Sequence, residues 1–104
     1  MKSYLLVETQ SDLDGAGPLA LLRMALELTR DGHQVRLFLI QDGVLMAGRV
    51  ALLDELTRQG VPVLIDDYSS AARAVEARWP GVELAGAADL VRYAVARDVV
   101  TVWH

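Results

Sequence analysis

Short apolar runs alternate with amphipathic stretches along the whole chain. Five runs, at 4–9, 35–40, 61–65, 82–84 and 99–103, are rich in β-branched or bulky aliphatic residues and give way to polar ones. The second is nearly continuous, broken only by Arg36, and such a run reads as a strand covered on both faces. Between the runs the period changes. Over 18–31, Leu21, Leu22, Ala25, Leu26 and Leu28 form one stripe, with Arg23, Glu27 and Arg30 opposite. Over 44–59, Leu45, Leu52 and Leu56 align, Met46, Val50 and Leu53 widen the stripe, and Asp54 can pair with Arg58. A third, alanine-rich helix is expected to end at Trp79-Pro80, and a fourth, at 87–96, to bury Leu90, Val91 and Ala94.

Punctuation fits these boundaries. Pro18 suits a first helical turn. Gly32 and Gly60 stand where helices stop and positive φ is needed. Asp42 is a candidate N-cap, and Pro62 is tolerated only at a strand start or on an edge. Repeated βα units with short connections require right-handed parallel crossovers. The expected fold is therefore α/β: one domain, 1–104, three-layer α/β/α, with a mostly parallel sheet of four to five strands.

In such sheets ligands gather at the carboxyl ends of the strands. Those ends carry Glu8 and Gln10, then Gln41 and Asp42, then Asp66, Asp67, Tyr68 and Ser69. Brought to one rim they form a candidate acidic ligand site. The same residue types are also the commonest caps and turn formers, and that plainer reading is preferred.

Composition narrows the chemistry. Apolar residues make up 53% of only 104, with mean hydropathy +0.27. A domain this small cannot hide them all, so self-association is expected. Net charge is −4, Lys2 is the single lysine and no basic stripe exists, which argues against direct nucleic-acid binding. Zero cysteines exclude disulfides, thiolate metal sites and thiol catalysis by this chain. The first apolar run is too short for a signal peptide and no run reaches transmembrane length, so a cytoplasmic protein away from membranes is expected.

A receiver-type phosphoacceptor would need a lysine after the last strand, where none occurs. An FMN cradle is opposed by Asp12 and Asp14 in the first loop. His33 and His104 are too few for an imidazole metal site, and neither has an acid or nucleophile near it in sequence. No nucleophile–base pair is recognisable. The expectation is no catalytic residue, no metal and no cofactor. An enzyme is disfavoured, and a stand-alone small-ligand or metal-binding protein using the acidic rim is the alternative.

Gly32-His33-Gln34-Val35, Leu37-Phe38-Leu39 and Gln41-Asp42-Gly43-Val44 resemble the second βα unit of the DsrE/DsrF/DsrH-like superfamily, which includes the TusB/TusC/TusD-type proteins. The stretch from Asp89-Leu90-Val91 to Val102-Trp103 is similar to the last helix and tryptophan-ended strand of its DsrH (TusB-type) arm. The resemblance implies an α/β/α domain that assembles with itself or with homologous DsrE-like subunits and serves sulfur relay, in tRNA 2-thiolation or sulfur metabolism. Carriers in that family hold a persulfide on a cysteine in a loop after a strand. The comparable loop here reads Asp66-Asp67-Tyr68-Ser69, without a thiol. Fold and assembly carry over, then, but sulfur transfer by this chain does not. A non-catalytic, accessory or structural subunit is the implied role.

Overall fold

Five parallel strands in the order β4-β3-β2-β1-β5 form the sheet. The computed structural model describes residues 1–76 and 80–104. β2 (Gln34–Leu39) is the apolar run expected to be covered on both faces; it, β1 (Ser3–Glu8) and β3 (Val63–Asp66) bury most of their residues, with Tyr4 and Arg36 half-buried. β4 (Val82–Ala85) and β5 (Val99–Trp103) are the edges and read more mixed. The three-layer α/β/α architecture expected from the sequence is the one observed.

Strand alternation sorts the core into two clusters. On one face Leu6, Leu37, Leu39, Val63 and Ile65 meet Leu21, Leu22 and Ala25 of α1 (Gly17–Arg30) and Leu53 and Leu56 of α2 (Ala51–Arg58). On the other, Leu5, Val7, Phe38 and Leu64 meet α4 (Ala87–Ala94), which contributes Leu90, Tyr93 and Ala94. The short α3 (Asp67–Ala72) follows β3 directly. Gly32 (φ +89°) and Gly60 (φ +86°) end α1 and α2 as their position predicts. In both, the next residue's N–H returns to a carbonyl of the last turn: His33 to Leu28 and Val61 to Leu56, each 3.0 Å.

Three helices differ from expectation. α4 ends at Ala94, and Val91, expected in the core, is 59% exposed because it lies off the Leu90–Ala94 face that meets the sheet. The stretch 44–59 is not one helix: a 3-10 turn, Gln41–Met46, precedes a break in which Gly48 takes φ +78°, and α2 starts only at Ala51. Ile40, in extended conformation, flanks the 3-10 turn, so Asp42 lies inside its first turn and is not an N-cap. The third helix stops at Ala72 because Ala74 adopts φ +54° and Val75 N–H closes back onto the Ser70 carbonyl (2.9 Å). Its expected end at Trp79 falls outside the described residues. Among the described residues no helix is long and apolar enough to cross a membrane.

Candidate functional site at the carboxyl ends of the strands

Parallel strands deliver Glu8, Gln41 and Asp66 to the same rim, but the carboxylates there do not share one pocket. Each has its own partner. Glu8 is the last residue of β1 and is fully buried. It lies one register step beyond the Val7–Trp103 pair, beside His104. His104 Nδ1 is 2.8 and 2.7 Å from the two carboxylate oxygens. A carboxylate only accepts, so Nδ1 carries the hydrogen. Gln10 N–H adds a bond to Glu8 Oε2 at 3.1 Å. The imidazole lies so close to the start of α1 that a Cβ at Gly17 would stand 2.8 Å from its Cε1. Thr9 Oγ–H donates to the His104 backbone carbonyl at 2.8 Å, no hydroxyl bonds to the imidazole or the carboxylate among the described residues, and the pair acts as a strut joining β1, β5 and α1.

Around the end of β3 a second network closes. Asp66, 5% exposed, caps α3: its Oδ2 accepts the Ser69 N–H (2.8 Å) and the Ser69 Oγ–H (2.6 Å). Ser69 Oγ in turn accepts the Gln41 N–H at 2.8 Å. Gln41 sits at φ +54°, a conformation that costs a non-glycine residue of order 1 kcal/mol. The Ser69 bond, spanning β2 and β3, is what fixes it there. Asp42 projects from the 3-10 turn to Arg73 Nε at 2.9 Å, and Asp12 in the first loop binds Arg49 at 2.7 Å. Among the described residues Asp67 accepts only the Tyr68 N–H, at 2.6 Å, and Tyr68 itself is 81% exposed. Ser70 Oγ is the one buried side-chain polar atom without a hydrogen-bond partner among the described residues.

All eight rim residues thus lie at the strand ends, but Glu8 and Gln10 form one network, and Asp66, Ser69 and Gln41 another, to which Arg73 ties Asp42 by donating from Nη1 to the Ser69 carbonyl at 3.4 Å. Tyr68 and Asp67 face solvent. Among the described residues no group of three or more Asp, Glu or His is disposed to hold a metal ion. The histidine–glutamate pair escaped sequence reasoning because its members are 96 residues apart. The signal that could have found it is the placement of the last strand beside the first. A separate cleft of about 400 Å³ lies at the opposite rim, lined by Thr29, His33, Gln59 and Pro62 among others. His33 there accepts the Lys2 N–H (3.1 Å) and meets Tyr4 edge-on, as a turn residue would.

The architecture is shared with solved structures. The YchN protein from E. coli superposes with a TM-score of 0.83 at 24% identity, over 98% of this chain and 100% of that one. MTH1491, a protein of unknown function from Methanobacterium thermoautotrophicum, gives 0.82 at 18% identity, covering 100% of both chains. At such identities the likeness speaks for the fold alone. No curated protein sequence matches the chain. The sequence model of the DsrE/DsrF-like family matches residues 2–102, nearly the full length. On that match, the chain belongs to the DsrE/DsrF-like family.

Proposed function

We propose that this protein is a non-catalytic, oligomeric subunit of a sulfur-relay assembly, of the DsrH (TusB-type) arm, accessory to homologous subunits that carry the reactive cysteine. The observation that supports this is the β3–α3 junction. Where the resemblance puts a carrier's thiol, this chain has Asp66 and Ser69 locked to each other and to Gln41, with Ser69 3% exposed. A hydroxyl so engaged is a structural fastener, and no thiolate exists to accept sulfur. Of the rim carboxylates, Glu8 and Asp42 are paired and Asp66 is a cap, so that Asp67 alone faces solvent, which favours this reading over a stand-alone binding protein. Membership of the family gives the sulfur-relay context; the accessory role follows from the missing thiol.

The test is native mass spectrometry of the chain purified from its own cells, read for partner subunits and bound small molecules together. Co-purification with a cysteine-bearing DsrE-like homologue, with persulfide sulfur on that homologue only, is the expected result. A chain recovered alone with a stoichiometric bound ion or metabolite would sink the proposal.

A further inference from the structure

The structure leaves one sheet edge open in an unusual way. β5 pairs with β1 alone. His104 N–H donates to Val7 O (2.9 Å) and Thr9 N–H donates to His104 O (3.0 Å), so residue 104 directs its backbone groups inward. Backbone direction alternates along a strand, so Val100 and Val102 also bond inward, while Val99, Thr101 and Trp103 direct N–H and C=O to the free side. Exposed edges are ordinarily guarded by charge, proline or a bulge. β5, Val-Val-Thr-Val-Trp, has none of these, whereas β4 at the other edge carries Glu83.

We propose that β5 pairs antiparallel with β5 of a second copy of this chain, about a two-fold axis through Thr101. This register pairs every outward backbone group: Thr101 with its mate, and Val99 with Trp103 of the second copy. Centring on Val100 or Val102 leaves one outward residue unpaired. The same register sets an aromatic against a β-branched residue at each end, Trp103 of one copy against Val99 of the other. A ribbon about 17 Å long buries too little by itself. The neighbouring helix supplies the rest. With Leu90, Tyr93 and Ala94 of α4 turned to the sheet and the β4–α4–β5 crossover right-handed, Val91 and Val95 fall on the β5 side of α4. They are 59% and 75% exposed, and Trp103 at the far end of β5 is 58% exposed. An isologous contact closes on itself and consumes both free β5 edges, whereas stacking β5 on β4 would propagate and bring Glu83 into the seam.

The proposal rests on the self-association in the functional reading and specifies its surface, so the experiment separates the two. Light scattering of the wild type should give twice 11.4 kDa or an even multiple. Thr101→Lys places two like charges on the axis and should halve that mass while circular dichroism stays folded. The chain has no cysteine, so Thr101→Cys provides a single probe, and a short bismaleimide should join two copies in high yield. Leu84→Cys on the β4 edge should not be joined. The crosslink reads the contact even if the lysine variant fails to fold. A wild-type oligomer that Thr101→Lys leaves intact, with Thr101→Cys uncrosslinked, overturns the β5 contact and spares self-association. A wild-type monomer at micromolar concentration overturns both. Crosslinking only to a homologous subunit overturns the second-copy assignment.

Discussion

Gly43→Ala should be among the most damaging single-methyl additions this protein can suffer. The 3-10 turn begins against the end of β1, and a Cβ on Gly43 would run into the Glu8 carbonyl oxygen and approach its carbon to 3.2 Å. Both neighbours are backbone and cannot rotate away. The same carbonyl accepts the Ile40 N–H at 3.0 Å, so pushing it aside strains the β1–β2 ladder at the rim. Overpacking of this kind costs about 1–3 kcal/mol, and weakening the shared hydrogen bond adds about 1 kcal/mol. The expected loss is about 2–4 kcal/mol, a fall in melting temperature of roughly 10–20 °C for a domain of this size. Glycine's freedom at positive φ is not the cause, since Gly43 is not among the positive-φ glycines. Gly32→Ala supplies the contrast: φ is +89° with open space around it, so its cost should be about 1 kcal/mol, from strain alone. Urea and thermal melts followed by circular dichroism, for wild type and both variants, decide the matter. A Gly43→Ala midpoint equal to wild type, or less affected than Gly32→Ala, would refute the close-approach argument.

Removing the unpartnered hydroxyl by Ser70→Ala should leave stability unchanged or raise it by up to about 1 kcal/mol, and a clear loss in the same melts would reveal a hidden partner. Asp66→Ala should cost about 1–2 kcal/mol by uncapping α3 and releasing Ser69, while Asp66→Asn, which can still accept the Ser69 N–H, should cost less than half of that. His104→Ala should destabilise by about 2 kcal/mol because Glu8 stays buried without it, and Glu8→Gln in the same background should recover part of the loss in a double-mutant cycle; additive effects would mean the pair is not coupled. Millimolar Mg²⁺ or Ca²⁺ at fixed ionic strength should not move the melting temperature of wild type or of the Asp66→Asn, Asp67→Asn double variant, and a rise confined to wild type would restore the acidic rim as a metal site.

The fold was legible because the chain repeats one instruction. Uninterrupted apolar runs such as Leu37 to Leu39 state burial on both faces, and Gly32 and Gly60 state where helices stop. What escaped the sequence is everything fixed by strand order. Glu8 and His104 are adjacent only because the last strand docks beside the first, and no local period encodes that choice. The 44–59 stretch was misjudged for a related reason. Its apolar spacing is helical throughout, yet Gly43 must nestle against β1 and Gly48 must take positive φ, and these tertiary demands break the helix between Met46 and Ala51. At the rim, residue types announced caps and turns; Asp66 obeyed. Asp42 instead found Arg73, a partner 31 positions away that only the packing of α3 on the 3-10 turn could supply.

The central position of β1 also has a consequence for how the protein is made. Of the five strands of the sheet, β1 is synthesised before the others, yet one of its two neighbours is β5, which follows them all. At about 5–20 residues per second, β1 waits roughly 5–20 s between its own emergence and that of its final partner. Throughout that interval Leu5 and Val7 lack the strand that flanks them, Glu8 lacks its imidazole, and a bare strand edge faces the crowded exit of the ribosome. Ribosome-bound chains of stepwise length should therefore resist protease only once Trp103 and His104 have cleared the tunnel. A strand that must stay open until β5 emerges is a strand for which a waiting partner, or a chaperone, has something to hold.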